Sequence, residues 1–292
     1  MRFYVILEVP NYDCRVPYRT YIVRNTTMIS GISETNRKLL DDLARSQKGP
    51  FSIKEASKVL GLSRNKIRIV LAYLVRKGWL SRVKRGVYIS VPLGTVNPQE
   101  YKEHPWVVAD HVFAPCYIGG WSAAEHWELT DQIFNSVVIF TLRKFKNTSI
   151  NIQGTNFVIK RISEKYFGKT KVDWVENIKI SVSDPLQTIV DILDDPFIGG
   201  GMRNVADIVQ EYFKSQYRND DEIVKYIDRK NNRTIYKRFG FLIESCSIDA
   251  LKLMAMCEKK ISAGFSLLDP TIEAKGSFNS KWNLRINVSI DK

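Results

Sequence analysis

Two predicted helices joined by one glycine turn constrain the fold of this chain more than any other feature. Ser52 opens a helical pattern, and Glu55 follows three residues later, which is the spacing of a capping box. Gly61 ends that helix, and a second helix starts after Ser63 and runs to Lys77. Two capped helices separated by a tight turn are typical of a helix-turn-helix.

The segments on either side of this pair extend it to a winged helix-turn-helix. Apolar residues at helical spacing predict a preceding helix over residues 34–46. Two strand-like runs, 79–83 and 87–91, flank a basic turn at residues 84–86 and predict a β-hairpin. We therefore assign residues 34–95 to a winged helix-turn-helix DNA-binding domain. A winged helix used only for protein contacts is the alternative.

The distribution of charge favours an anionic partner for this part of the chain. The 292 residues carry a formal net charge of +13. Residues 1–95 hold 18 lysines and arginines against 6 acidic residues, whereas residues 96–292 hold 26 against 25. Nucleic acid is the leading candidate, because its phosphate density favours clustered cations. A membrane surface would need a basic amphipathic helix with a large exposed apolar face, and we find none.

The helical phase of the segment after Ser63 separates a core face from a contact face. The core face is apolar and comprises Ile67, Val70, Leu71 and Leu74. Asparagine can bond adenine, arginine can bond guanine, and small apolar side chains can touch a thymine methyl. The candidate DNA-binding residues, which include cations suited to phosphates, are Ser63, Arg64, Asn65, Lys66, Arg68, Ile69, Ala72, Arg82, Lys84 and Arg85. For any single charge, a solvated surface residue is the alternative.

The remainder of the chain predicts a second, larger domain. Ser122, with Glu125 three residues later, predicts the start of a short helix with a capping box. Strand patterns at 137–141, 151–160 and 178–182 precede five helical patterns between residues 184 and 259, and an alternating run at 282–290 predicts a final strand. The fold class is therefore α+β, with a winged helix-turn-helix followed by a larger mixed α+β domain over residues 96–292. Residues 1–33 form an N-terminal extension whose two apolar runs predict a hairpin.

The expected location is the cytoplasm. No apolar run approaches the roughly 18 residues that a membrane helix needs, and the N-terminus lacks the pattern of a signal peptide. The four cysteines are widely spaced and show neither a disulfide framework nor the paired spacing of a zinc site. Free thiols in a reducing compartment are the simplest interpretation.

Metal and phosphate sites in the second domain are weakly supported. The three histidines, His104, His111 and His126, would have to converge with Asp110 and Glu125 to bind a metal, and surface histidines are the simpler interpretation. Three glycines at residues 199–201 precede a helix, as in phosphate-binding loops, but no Lys-Ser or Lys-Thr follows them. A flexible loop is the favoured interpretation.

The sequence gives equally little support for a set of catalytic residues. Ser122, His126 and Asp131 lack the arrangement of a triad. Tyr117, Trp121 and Trp127 are either a patch for RNA stacking or part of the core, and core packing is favoured. We predict no enzyme, no catalytic residue, no cofactor and no metal. A nucleic-acid-processing enzyme, whose winged helix positions the substrate, is the alternative.

Four segments carry a resemblance to a known family. They are the basic wing at 84–88, the small-residue segment 117–132, the Pro-Gly-Gly junction 191–201 and the helix 237–244. They are similar to the corresponding parts of the AbiEi family, antitoxins of abortive-infection toxin–antitoxin operons. The resemblance covers roughly residues 34–290. The first 30 residues depart from the family pattern, as does the segment 126–128.

The resemblance implies a two-part protein of phage defence. The winged helix would bind inverted repeats in its own promoter and repress the operon. The second domain would counteract a nucleotidyltransferase-type toxin encoded in the same operon, and neutralisation in this family need not involve a stable complex. A winged-helix regulator unrelated to toxins remains the alternative. No membrane partner is expected.

Overall fold

The N-terminal part folds as the predicted winged helix-turn-helix. A computed structural model describes residues 33–290, and the hairpin predicted within residues 1–33 lies outside the described residues. The elements are α1 (Glu34–Ser46), β1 (Phe51–Ser52), α2 (Ile53–Leu60), α3 (Arg64–Arg76), β2 (Leu80–Lys84) and β3 (Val87–Ser90). The three strands form an antiparallel sheet in the order β1-β3-β2.

Within the winged helix, the sequence signals at the helix ends act as predicted, with one exception. The capping box of α2 is complete: Ser52 accepts from the backbone N–H of Glu55, and the Glu55 carboxylate accepts from that of Ser52. Gly61 ends α2 in the left-handed region at φ 63°, where a side chain would be strained. Ser63 stands at the N-cap of α3, but its side chain makes no capping bond. Its hydroxyl is therefore not committed to the helix.

The second part is built on a six-stranded sheet. Its elements are α4 (Pro105–Phe113), β4 (Cys116–Gly119), α5 (Gly120–His126), β5 (Ser136–Thr141), β6 (Ser149–Ile152), β7 (Thr155–Arg161), β8 (Thr170–Val175), β9 (Ile178–Ser183), α6 (Pro185–Asp194), α7 (Met202–Lys214), α8 (Asp220–Lys230), α9 (Thr234–Ser245), α10 (Leu251–Lys260), β10 (Ser266–Leu267), β11 (Ser277–Asn279) and β12 (Leu284–Ile286). The large sheet is mixed, in the order β6-β7-β5-β4-β9-β8, and a small sheet has the order β10-β12-β11. The chain is thus α+β, as predicted.

The six-stranded sheet has a core on each face. Tyr117, Val138 and Phe140 point to the face covered by α6 to α9. Ile118 and Ile139 alternate with them and point to the opposite face, where α4 packs. The helices and the sheet therefore form layers, and the central strands β4, β5 and β7 are buried on both sides.

Two of the strands predicted in the second part have different boundaries in the structure. The run predicted as one strand over 151–160 is the hairpin of β6 and β7, with Gln153 and Gly154 in its turn at φ 51° and 87°. The final strand predicted over 282–290 is reduced to β12. Trp282 is fully buried in the turn before it, where its ring fits against Gly240: a Cβ there would lie 2.0 Å from the ring. Packing onto α9, rather than sheet alternation, sets its position.

The helix end predicted at Ser122 is also wrong. Helix α5 starts at Gly120, with Gly119 as the N-cap, so Ser122 lies inside the helix. Its hydroxyl accepts a hydrogen bond from the backbone N–H of Val138 at 3.1 Å. Ser122 therefore links α5 to β5, and Glu125 is an exposed residue that makes no capping box.

Candidate nucleic-acid interface

Helix α3 and its N-cap expose all the candidate DNA-binding residues that the sequence places there. These residues are Ser63, Arg64, Asn65, Lys66, Arg68, Ile69 and Ala72. Ile67, Leu71 and Leu74 on the other face are fully buried, and Val70 is partly buried. Ile69 is 72% exposed in the middle of the polar face. A helix that lies in a major groove needs such a face, with donors beside an apolar contact.

This surface is cationic and lacks acidic neighbours among residues 33–290. No aspartate or glutamate occurs in the sequence between Glu55 and Glu100. Arg64, Lys66 and Arg68 have no carboxylate within 4 Å in the part of the chain that the structure describes. Since no carboxylate of the described residues pairs with them, these cations are available to contact phosphates.

The wing places its three predicted residues in different surroundings. Arg82 is exposed and lies over the Tyr88 ring, 5.8 Å from its centroid, and Arg85 is exposed in the turn. Lys84 is half-buried. Burial, and to a smaller degree the charge of Arg143, lowers its pKa. Arg82 and Arg85 are therefore the accessible cations of the wing, and Lys84 is the least accessible.

The back of the wing is buried against the second part of the chain. Val83, Val87 and Ile89 belong to the same apolar cluster as Val107 and Val108 of α4. The wing sheet is consequently apolar on both faces, one toward the helices of the winged helix and one toward α4. The regions on either side of residue 95 pack through a shared core.

A basic loop that the sequence interpretation missed lies beside the wing. The connection between β5 and β6 exposes Arg143, Lys144 and Lys146. Arg143 is fixed by a bond from Nη1 to the carbonyl of Val112 at 2.9 Å, and it stands over the Phe145 ring at 5.2 Å. The Arg-Lys-Phe-Lys run was visible in the sequence, but no local spacing connects it with a wing so far away in the chain.

The histidines do not form a metal site. His104 and His126 each contact the Trp106 ring, with centroid distances of 6.1 and 5.3 Å, and the nearest carboxylate to His126 is Asp173, at 3.8 Å. His111 is half-buried near Glu55 instead, and burial lowers its pKa. Within residues 33–290, no group of three or more histidine, cysteine or acidic side chains could hold a metal ion.

The glycine loop and the aromatic residues have internal roles. The first N–H of α7, from Met202, donates to the Asp269 carboxylate at 2.7 Å, so an acidic group stands where a phosphate would bind. Tyr117 and Trp121 are buried, which makes the exposed RNA-stacking patch wrong. Trp127 is half-buried, and its indole N–H donates to the carbonyl of Ser183 at 2.7 Å.

The fold and this surface define a winged-helix protein whose third helix exposes a cationic face. Residues 38–91 match the family model described as "Transcriptional regulator, AbiEi antitoxin". The predicted resemblance is thus confirmed over the winged helix, and the match supports a role as an antitoxin and DNA-binding regulator. For the segments 117–132, 191–201 and 237–244, which lie outside the match, the resemblance stays a prediction.

Two further findings are negative. A comparison with curated proteins finds no match. No helix in residues 33–290 is both long and apolar enough to cross a membrane.

Proposed function

We propose that this chain is a cytoplasmic autorepressor and antitoxin. Helix α3 enters the major groove of an operator with inverted repeats in the chain's own promoter. The second part, residues 96–292, counteracts a nucleotidyltransferase-type toxin encoded in the same operon, with no need for a stable complex. The observation that carries the DNA-binding half is the exposed face of α3, where uncompensated cations surround Ile69.

The residues divide into base-reading and phosphate-binding groups. Asn65 and Arg68 lie on the outer face of α3, where they can bond adenine and guanine. Arg64 and Lys66 lie at the start of the helix and suit phosphates. Arg85 on the wing, together with Arg143 in the adjacent loop, extends the phosphate-binding surface along the backbone of the same site.

Alanine variants of the full chain separate the two groups. Replacing Asn65 or Arg68 with alanine is expected to cost about 1–3 kcal/mol of binding free energy on the operator and to relax base preference there. Arg85→Ala is expected to weaken binding to all DNA sequences equally. It should also reduce the slope of log K against log salt by about 1, since one phosphate contact is lost. Fluorescence anisotropy on the promoter and on scrambled duplexes, at several salt concentrations, measures the binding affinity, the base preference and the salt slope.

Lys252→Ala is the matched control, because Lys252 is an exposed cation on α10. It should change neither affinity nor slope. A wing variant that alters base preference while the α3 variants do not would reverse the assigned roles.

The antitoxin half is tested by co-expression with the neighbouring gene. The double variant Asn65→Ala/Arg68→Ala should lose promoter repression and still relieve growth inhibition, because the second part is intact. A neighbour that is not toxic would favour a regulator unrelated to toxins. Metal-dependent nuclease activity of the purified protein would favour a nucleic-acid-processing enzyme.

A further inference from the structure

In the part of the chain that the structure describes, strand β8 is an unusually open edge of the six-stranded sheet. It is six residues long, pairs with β9 without any register shift, and contains no proline. Val172 and Trp174 on it are 58% and 57% exposed. Natural edge strands are normally short, bulged, covered, interrupted by proline or protected by charged side chains, because an open edge is a template for another strand. Of these features, β8 has only the charges of Lys171 and Asp173 within residues 33–290.

The residues of β8 with exposed apolar side chains also direct their backbone peptide groups away from β9. The N–H of Trp174 donates to the Asp173 carboxylate at 2.8 Å, so it is not part of the ladder with β9. In an antiparallel pair, alternate residues direct their peptide groups to the partner strand. The peptide groups of Thr170 and Val172 therefore also face away from β9.

The opposite edge of the sheet, strand β6, differs in its length and in the polarity of its exposed side chains. Strand β6 has four residues, and its exposed positions are the polar Ser149 and Asn151. The apolar exposure of the sheet edges is thus confined to β8.

The charges on β8 are self-complementary. Lys171 and Asp173 flank Val172 and lie on one face of the strand. If a second β8 pairs antiparallel with Val172 on the twofold axis, each Lys171 lies opposite the Asp173 of the other copy. In the single chain, Lys171 lies over the Trp127 ring at 5.1 Å and is exposed, and Asp173 is 3.8 Å from His126 with its side chain 39% exposed. Both charges are therefore accessible to a second strand.

We propose that β8 is the site of self-association, and that two copies of this chain pair there into one continuous sheet. The outward peptide groups of Val172 form the central hydrogen bonds. Two reciprocal ion pairs between Lys171 and Asp173 flank them and fix the register. The twofold symmetry of such a dimer matches the symmetry of an inverted repeat, but the association itself needs no DNA.

A charge swap in the full-length protein tests this pairing. Asp173→Lys places two lysines opposite each other and should raise the dimer dissociation constant at least tenfold. The double variant Lys171→Asp/Asp173→Lys restores opposite charges and should return the constant to within about threefold of the original. Sedimentation equilibrium without DNA measures these constants, and circular dichroism checks the fold.

Two further variants complete the test. Val172→Pro removes an outward N–H without touching the β9 ladder and should give a folded monomer. Ser149→Lys, on the β6 edge, should leave the dimer unchanged. A wild-type protein that stays monomeric to about 100 μM, or a dimer that Asp173→Lys does not weaken, would overturn the proposal. Either result would leave the DNA-binding surface of α3 unaffected.

Discussion

Replacing Leu193 with aspartate is expected to unfold the second part of the chain and to abolish relief of toxicity. Leu193 is fully buried on α6, as are Ile189, Val190 and Ile192. An unpaired carboxylate at this position would lose its hydration with no partner to compensate. The cost, about 5 kcal/mol or more, is comparable to the whole stability of a typical domain.

The neighbouring Asp191 shows what a tolerated buried carboxylate requires. It is 1% exposed and accepts hydrogen bonds from Lys230 at 2.8 Å, from Gln187 at 2.8 Å and from Tyr117 at 3.2 Å. A carboxylate at position 193 has no partners prepared for it. Urea denaturation followed by circular dichroism measures the loss. Leu251→Asp, at a leucine 71% exposed on α10, is the control that should leave stability unchanged.

Replacing Arg238 with methionine is expected to cost about 3–5 kcal/mol of unfolding free energy. The Arg238 side chain is buried, and it donates to the carbonyls of Leu268 at 3.1 Å, Leu193 at 2.8 Å and Asp194 at 3.0 Å. Its Nη2 also donates to the carbonyl of Leu267 at 3.3 Å, so Arg238 joins the end of α6 to the strand β10. Methionine fills much of the volume but leaves these buried acceptors without donors, each at about 1–3 kcal/mol.

The control for this variant lies at the start of the same helix. Arg233 is exposed at the N-cap of α9, and Arg233→Met should change stability by less than about 0.5 kcal/mol. Chemical denaturation monitored by tryptophan fluorescence compares the two variants. Equal midpoints would contradict the role assigned to Arg238.

The winged helix was predictable because its signals are local. The capping box at Ser52, the left-handed Gly61 and the apolar spacing of α3 each act within one helix or one turn, and together they fix which face of α3 is exposed. The contact face could therefore be listed from the sequence. Helix α6 shows the limit of such patterns, because it is buried around most of its circumference rather than on the single face that its spacing indicates.

The non-local features were not predictable in the same way. The half-burial of Lys84 depends on α4 and on the loop with Arg143, which are distant in sequence. One signal was available: the run Val87, Tyr88 and Ile89 is apolar without alternation, which is typical of a strand covered on both faces. Strands β4 and β8 were missed, because short strands beside glycine or polar residues carry weak periodicity.

The salt dependence of promoter binding by the full-length protein tests the central claim most directly. If the face of α3 and the wing meet about six or more phosphates, affinity should fall about 10³-fold or more between 50 and 200 mM salt, with log K linear in log salt. The slope should persist in Asn65→Ala and become shallower in Arg85→Ala. A flat salt response, or no binding of the promoter at 50 mM salt, would contradict the account.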